Sequence, residues 1–444
     1  MSTAAASDPA TRADPRPASA VSGGVGLAGV VGLLVWAGIA RAFGMSGPLS
    51  ALVALAACGV PMVLWSLLVD KVHRNPSTGL DWDSPPRPLK DVLDVSIVKI
   101  AGLWGIWGII GCLYCVARWY WNDPYLFSMQ LFMYAAIPMV VLSVPYVLWL
   151  DRRLKEPRDG AWHFGSWIIG RTEDVDREIM FDFFRSWAIK AFFLAFMLAI
   201  TPGNWSAAIS ASTDWILANP AQFGLWLIAL MFMIDVTMAS VGYIMTFKVL
   251  DAHIRSANPY ASAWMAALIC YPPFILMGDG GPLNYHPGTA GSEGWVQWLD
   301  GSNILLTLNA AWLAILTGIY AWATIAFGLR FSNLTHRGIL THGPYAWTKH
   351  PAYLSKNLFW WFGVLPFLSV NGSLVDSVRN TVIMVAVSGV YYWRARTEEK
   401  HLSEDPAYRE YAAWMDRHGP VPRFIRFLIG TQKPAKSPSP APAE

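Results

Sequence analysis

Charged residues are scarce in this chain. They make up 14% of its 444 residues, whereas soluble domains average about 25%, so a soluble enzyme is disfavoured. Cysteine is also scarce, and four cysteines in a chain of this length exclude a disulfide-stabilised scaffold. The 33 basic and 30 acidic residues nearly cancel, so the overall charge does not indicate a nucleic-acid-binding protein.

Apolar and aromatic residues are abundant instead, with 54% hydrophobic residues and 24 tryptophans. A transmembrane helix needs about 20 mostly apolar residues to cross a hydrocarbon core of about 30 Å. The sequence therefore predicts an all-α fold, a polytopic integral membrane helical bundle of about ten transmembrane helices. The first, fifth and ninth stretches are short, and one of them could be a buried or re-entrant segment. The ten predicted spans are residues 25–40, 49–69, 95–117, 126–150, 186–201, 222–247, 260–277, 303–328, 357–370 and 377–393.

The positions of the basic residues predict the orientation of the chain. If the N-terminus is cytoplasmic, 27 of the 33 lysines and arginines fall in cytoplasmic segments. Cytoplasmic loops of membrane proteins carry such an excess, so both termini are expected to be cytoplasmic. The other six basic residues, among them Lys99, lie near predicted span ends, where long side chains can extend to the interface.

Composition divides the chain into four segments. Residues 1–24 and 431–444 are rich in Ala, Ser and Pro and are predicted to be disordered tails. Residues 25–328 are predicted to form an N-terminal transmembrane bundle of about eight helices. Residues 329–430 are predicted to contain a helical hairpin and a cytoplasmic helix, and this segment holds the motifs that indicate chemistry.

The first motif lies in residues 340–353. Gly343-Pro344 is a turn signal, and His350 stands directly before Pro351. A residue before proline disfavours helix, and proline suits the first turn of a helix, so a helix is expected to start at Pro351. His350 would then lie at the N-terminal end of the ninth predicted span.

The second motif lies in residues 394–402, at the end of the tenth predicted span. On a helix, Arg394 and Glu398 share a face, and Glu399 is rotated by about 100° from Glu398. A hairpin would bring this end back to the membrane face that carries His350. Each feature also has a structural interpretation: a helix start, an exposed ion pair, or basic residues that fix the topology.

The two motifs together resemble the C-terminal signature of the isoprenylcysteine carboxyl methyltransferase and phospholipid methyltransferase superfamily. That signature is a G-x-Y-x-x-x-[RK]-H-P-x-Y run followed by R-x-x-x-E-E at the end of the next helix. The resemblance covers roughly residues 337–422. The matching residues are Gly343, Tyr345, Lys349, His350, Pro351, Tyr353, Arg394, Glu398 and Glu399, with Tyr408 and Tyr411 beyond them.

The resemblance implies a membrane enzyme that takes S-adenosylmethionine from the cytoplasm and a lipophilic acceptor from the bilayer, most like protein-S-isoprenylcysteine carboxyl O-methyltransferase. It also implies that Arg394 binds the acceptor. Lys349 departs from the usual Arg, so a contact that needs a bidentate guanidinium is in doubt there. The residues that the resemblance assigns to the cofactor are Leu340, Tyr345, His350, Tyr353 and Glu398.

The acceptor is left open among a prenylated cysteine, a phospholipid amine, a small thiol and a quinone-like lipid. A carboxylate acceptor is already ionised at neutral pH and needs no general base. An amine acceptor would first have to lose a proton, which would favour a role for Glu399 or His401. Arg394 favours an anionic acceptor. The spacing of the histidines predicts no metal site.

Two other functions are compatible with the sequence. Membrane reductases of the sterol C14 and C24 type also resemble this hairpin and use NADPH, whose phosphate needs basic residues such as Arg330, Arg337 or Lys349. A transporter or lipid-binding scaffold would instead use Asp235, an ionisable residue in the sixth predicted span. We expect Asp235 either to face a cavity or to make a helix-to-helix hydrogen bond.

Overall fold

The described part of the chain is almost entirely helical. In a computed structural model, the structure describes residues 16–285, 294–368, 373–428 and 430. Strands β1 (Ser256–Ala257) and β2 (Thr335–His336) form a short antiparallel ribbon. The helices are α1 (Gly23–Ala42), α2 (Pro48–Leu64), α3 (Leu89–Val116), α4 (Tyr125–Asp151), α5 (Gly160–Ile168), α6 (Arg177–Ile209), α7 (Thr213–Leu217), α8 (Pro220–Ile244), α9 (Ala261–Leu268), α10 (Gly294–Trp298), α11 (Asn303–Phe327), α12 (Pro351–Val364), α13 (Leu374–Leu402), α14 (Pro406–His418) and α15 (Pro420–Leu428).

Eight helical segments of the described chain are long and apolar enough to cross a membrane. They correspond to the first six predicted spans, the eighth and the tenth. The predicted fold class, an all-α polytopic membrane bundle, is confirmed. The eight are Gly23–Ala42, Pro48–Val69, Leu89–Val116, Tyr125–Asp151, Arg177–Ile209, Pro220–Ile244, Asn303–Arg330 and Leu374–Leu402.

The predicted number of about ten spanning helices is corrected to eight within the described residues, because the seventh and ninth spans are too short. Helix α9 has 8 residues and α12 has 14, which corresponds to about 12 and 21 Å at 1.5 Å per residue. Pro272 and Pro273 follow α9 and cannot continue a helix. Helix α12 ends where Leu365 adopts a φ of 52° ahead of Pro366.

The segment after α9 still runs from one end of the bundle to the other. At one end, the side chain of Asn258 donates to the carbonyl of Thr397, at 3.4 Å. At the other end, Arg379 donates to the carbonyl of Asn284, at 3.1 Å. Thr397 and Arg379 lie at opposite ends of α13, so residues 258–284 cross alongside it. Irregular backbone at membrane depth is tolerated where protein covers it or where it lines a cavity.

Helices α8 and α11 pack in parallel at the centre of the bundle. Gly224 opposes Ala310, and a Cβ at Gly224 would come within 2.5 Å of the Ala310 Cβ. Further along both helices, the Thr324 hydroxyl donates to Asp235. Glycine at position 224 thus permits the close approach that brings Asp235 and Thr324 together. In the 18-residue apolar window of α8, 67% of the residues are buried, about twice the share in the corresponding window of any other spanning segment in the described chain.

Lys99 does not extend to the interface as predicted. Its ammonium lies 2.6 Å from Asp151, at the end of α4, and 2.9 Å from Asp159, the residue before α5. Ser96 donates to the second carboxylate oxygen of Asp151, at 2.8 Å. A buried ion pair is favourable only when its remaining hydrogen-bonding groups are satisfied, which explains why Lys99 stays inside.

Residues 16–22, which fall within the predicted tail of residues 1–24, pack against the helical bundle. The backbone amide of Ala20 donates to Ile339, at 2.9 Å, and the Ser19 hydroxyl lies 2.8 Å from Nδ1 of His342. The Arg16 guanidinium lies over the Trp414 ring, 5.6 Å from its centroid. Residues 16–22 therefore pack beside the first motif, whereas residues 1–15 and the predicted tail 431–444 lie outside the described residues.

Candidate functional site

A cavity opens at one end of the bundle, between the α12–α13 hairpin and helices α8 and α11. The cavity has a volume of about 110 Å³, and one water molecule needs roughly 10–15 Å³ of such volume. The cavity therefore has room for several waters or for a polar group of that size. Five of the six predicted site residues line it, and these are Tyr345, His350, Tyr353, Arg394 and Glu398.

The hairpin brings the two motifs into direct contact. Pro351 starts α12 as the sequence predicts, and His350 precedes it. The glutamate that meets the histidine is Glu399, with 2.9 Å between His350 Nε2 and Glu399 Oε1. The ammonium of Lys349 lies 3.1 Å from the same oxygen, and the Arg396 guanidinium lies 2.7 Å from the other one. Glu399 therefore joins the start of α12 to the end of α13 and is fully engaged in ion pairs.

Glu398 has a different environment from its neighbour. Its side chain lines the cavity, beside the hydroxyl of Tyr353 and close to Tyr345. Among the described residues, no lysine, arginine or histidine nitrogen lies within 4 Å of its carboxylate. Glu398 thus presents a negative charge, with aromatic neighbours, to whatever the cavity holds.

Arg394 lies on the same face of α13, one turn closer to the membrane centre. Its side chain is buried, and its guanidinium lies over the rings of Tyr353, Tyr271 and Tyr391, with centroids at 5.3, 5.6 and 5.9 Å. A single hydrogen bond to the side-chain oxygen of Asn333, at 3.3 Å, accompanies these stacking contacts. No carboxylate of the described chain lies within 4 Å of this guanidinium.

Lys356 is a cavity residue that neither motif contains. Its ammonium lies over the rings of Tyr320 and Tyr391, with centroids at 5.6 and 5.5 Å. Within the described chain, it has no carboxylate closer than 4 Å. It lies six residues after His350, which corresponds to about 9 Å along a helix. A lysine without a carboxylate partner at membrane depth is unusual. The sequence alone does not reveal that Lys356 lacks such a partner.

Asp235 forms the inner end of the cavity. Its carboxylate accepts a hydrogen bond from Thr324 and lies near the hydroxyl of Tyr320. The structure therefore combines both interpretations of this residue, since it faces the cavity and also joins α8 to α11. Tyr271, on the irregular segment after α9, completes the aromatic lining.

Leu340 does not line the cavity. Its side chain is buried in an apolar cluster with Val25 and Leu329, against which Tyr345 packs. The backbone around it explains the difference, because the neighbouring Ile339 carbonyl accepts from Ala20 and turns this segment toward the N-terminal residues. Leu340 supports Tyr345 from behind.

Tyr345 is held in place from two sides. The hydroxyl of Tyr411, on α14, donates to the Tyr345 carbonyl at 2.7 Å. The Phe327 ring packs edge-on against the Tyr345 ring, 5.5 Å between centroids. Gly343 has a φ of +58°, and a Cβ there would lie 3.2 Å from the indole nitrogen of Trp322. Glycine thus permits the turn that presents Tyr345 to the cavity.

Arg337 organises the loops below the cavity. It is buried, and its guanidinium occupies all its nitrogens with main-chain acceptors. Gathering several carbonyls around one guanidinium fixes the end of α8 against the segment that leads into the first motif. The acceptors are the carbonyl oxygens of Gly242, Met245, Ala252, Leu329 and Phe331.

Residues 290–415 match the model of a protein family of unknown function, DUF1295. The family is related to membrane proteins of the steroid 5-alpha reductase and isoprenylcysteine methyltransferase type. The matched residues include both motifs and the cavity-lining positions of α11, α12 and α13. No curated protein and no solved structure matches the chain.

Proposed function

We propose that the protein is an integral membrane S-adenosylmethionine-dependent methyltransferase that acts on a lipophilic acceptor. One observation carries the proposal: a single cavity holds the unpaired carboxylate of Glu398 at its outer end and the unpaired guanidinium of Arg394 further in. The outer end suits a cationic donor, and the inner end suits an anionic acceptor. The two are one helical turn apart on α13.

The residues at the outer end fit the donor chemically. S-adenosylmethionine supplies a methyl group on a cationic sulfonium. A carboxylate without a protein cation and the rings of Tyr345 and Tyr353 are the groups expected around such a cation. His350 adds a polar ring whose orientation is fixed by Glu399. Methyl transfer depends mainly on alignment and exclusion of water. The contacts that hold His350 and Tyr345 in place would contribute to the alignment.

The inner end of the cavity supports an anionic acceptor. Arg394 and Lys356 both stack on the ring of Tyr391 and lack a carboxylate partner within the described chain. Two cations at membrane depth are stabilised when a ligand brings negative charge. An amine acceptor is less well supported, because Glu399, a candidate base for it, is already engaged by Lys349, His350 and Arg396.

The alternative is an NADPH-dependent reductase of the sterol type, which the relationship of the DUF1295 family keeps open. The phosphate of NADPH would need to be bound by Arg330, Arg337 or Lys349. Arg330 is paired with Asp251 at 2.8 Å, and Arg337 is surrounded by carbonyls. Lys349 is held by Glu399. The engagement of these three cations favours the methyltransferase.

We further infer that the cavity opens to the cytoplasm. His350, Glu399 and Lys349 mark its outer rim, and the loops at this end belong to the segments that hold 27 of the 33 basic residues. Such an excess marks the cytoplasmic side. The cofactor would then enter from the cytoplasm and the acceptor from the bilayer.

Membranes containing the protein, incubated with methyl-labelled S-adenosylmethionine, should yield labelled lipophilic products in a mass spectrum of the extract. We expect Glu398→Gln to abolish the labelling, because the charge facing the donor is lost. Glu410→Gln is the matched control. Glu410 is exposed on α14, so this substitution makes the same chemical change away from the cavity. Equal labelling with Glu398→Gln, or none with the unaltered protein, would contradict the proposal.

A further inference from the structure

The short helix α15 exposes an unusually apolar surface outside the spanning helices. Four of its nine residues are large, apolar and exposed. These are Phe424, Ile425, Phe427 and Leu428, with exposed fractions of 60, 47, 65 and 65%. None of the residues of α15 is buried in the described structure. An apolar surface of this kind requires a partner.

The basic residues of α15 lie outside its apolar face. Successive residues of a helix are rotated by about 100°, so Phe424, Phe427 and Leu428 fall within an arc of roughly 100° and Ile425 extends it. Arg426 lies opposite that arc, and Arg423 lies beside its edge, about 40° from Phe427. Such a helix is typical of segments that lie in the membrane interface, with the apolar face in the acyl boundary and the basic face among the lipid phosphates.

The attachment of α15 places it at the level of that interface. The backbone amide of Val421 donates to the carbonyl of Trp347, at 3.2 Å. The Trp347 ring packs edge-on against Trp322, with centroids 5.1 Å apart, and both rings are partly exposed. Trp322 belongs to the spanning helix α11, near its end. Exposed tryptophans near the end of a spanning helix mark the membrane–water boundary.

We propose that α15 docks on the bilayer surface beside the cavity and that anionic lipid headgroups are its partner. The tails cannot cover it, because residues 1–15 and 431–444 contain no Leu, Ile, Val, Phe, Trp or Tyr. Continuity with the lipid-facing surface of α11 and the two arginines both match an anionic membrane. A second copy of the chain is the competing partner, and the experiment below separates the two.

Docking of α15 also affects the cavity. Helix α14 directly precedes α15, and its Tyr411 hydroxyl holds the carbonyl of Tyr345. Asp416 of α14 lies 3.5 Å from the Lys349 ammonium. A bilayer that holds α15 therefore also holds α14 over the outer rim of the cavity. The lipid surface acts as a structural part of the site, whatever molecule the cavity binds.

Hydrogen exchange of the full chain in nanodiscs tests this inference without reference to activity. The nanodiscs contain phosphatidylcholine alone or with phosphatidylglycerol. We expect the amides of residues 421–428 to exchange slowly in both, and more slowly with the anionic lipid. The double variant Phe424→Ser/Phe427→Ser should exchange there at least about tenfold faster, with a smaller rise at residues 343–347. Phe367→Ser, at an exposed phenylalanine after α12, is the control.

The arginines provide a separate readout. Arg423→Gln/Arg426→Gln should remove the difference between the two lipids and leave the protection in phosphatidylcholine. Exchange that is unchanged in the phenylalanine variant overturns the inference. Efficient cross-linking between two copies through Phe427→Cys, in a background without the native cysteines, would also overturn it and identify a second copy as the partner.

Discussion

The imidazole of His350 and the carboxylate of Glu399 lie 2.9 Å apart, although 49 residues separate them along the chain. This contact joins the start of α12 to the end of α13 and closes the outer rim of the cavity. The adjacent Glu398 points into the cavity and lacks a cation partner among the described residues. Two consecutive glutamates therefore have different environments, one held in ion pairs and one facing the cavity.

This difference predicts that the two glutamates contribute unequally to stability. Glu399→Gln removes the charge that Lys349, Arg396 and the His350 ring all contact, and we expect it to lower the free energy of unfolding by about 1–3 kcal/mol. Glu398→Gln should leave stability within about 0.5 kcal/mol of the unaltered protein, because no ion pair is lost. Thermal unfolding in detergent micelles measures both. A larger loss with Glu398→Gln than with Glu399→Gln would show that the roles are reversed.

Lys356 should determine which acceptors bind. Replacing it with Met removes one of the two cations at the inner end, so we expect KM for an anionic acceptor to rise about tenfold or more, which corresponds to about 1.4 kcal/mol. Lys356→Arg should recover most of the affinity. Binding of S-adenosylmethionine should not change. Lys400→Met is the control, since Lys400 is exposed and stacks on Tyr260, and an equal rise in KM there would refute the assignment.

Arg337 should be among the most sensitive residues of the loop region. Arg337→Lys keeps the charge but leaves several carbonyls unsatisfied, because an ammonium has three donors and no planar fork. We expect a loss of about 2–4 kcal/mol in the free energy of unfolding. Arg417→Lys, at a position on α14, is the matched control. A loss below about 1 kcal/mol at Arg337 would contradict the structural role.

We expect the stability of the protein to depend on pH because of His253. Burial, assisted by the nearby ammonium of Lys248, lowers the pKa of this histidine to about 4, whereas in the unfolded chain it is about 6.5. The unfolded state therefore takes up the proton first, so the contribution is fully present above about pH 6.5 and is lost as the pH falls toward 4. Because the side chain is partly exposed, we expect this contribution of His253 to the free energy of unfolding to be roughly 2 kcal/mol. In melting curves, His253→Gln should show a smaller decline over this range, and superimposable pH profiles would disprove the effect.

The sequence predicted the helical membrane class and the hairpin well, because both depend on local signals. Long apolar runs define spanning helices in isolation, and His350-Pro351 marks a helix start wherever it occurs. The failure at the seventh span has a physical reason. Hydropathy shows that residues 260–277 are apolar. It does not show that this segment can cross with an irregular backbone because it packs beside α13.

The cavity was only partly predictable for a similar reason. Arg394 and Glu398 could be placed on one face from helical spacing alone. The pairing of Glu399 with His350 depends on the rotation of α13 against α12, and the spacing within each motif does not fix that rotation. Lys356 and Tyr320 belong to neither motif, and only the packing of α11 and α12 around the cavity shows that both residues line it.

We propose that Glu398 faces a cationic methyl donor in this cavity. Calorimetric titration of the purified protein with S-adenosylmethionine, and separately with NADPH, tests it most directly, with Glu398→Ala and Glu410→Ala titrated alongside. We predict binding of S-adenosylmethionine alone, its loss in Glu398→Ala with the melting temperature of the ligand-free protein retained, and unchanged affinity in Glu410→Ala. Binding of NADPH instead, or unchanged affinity for S-adenosylmethionine in Glu398→Ala, would overturn the proposed role of Glu398.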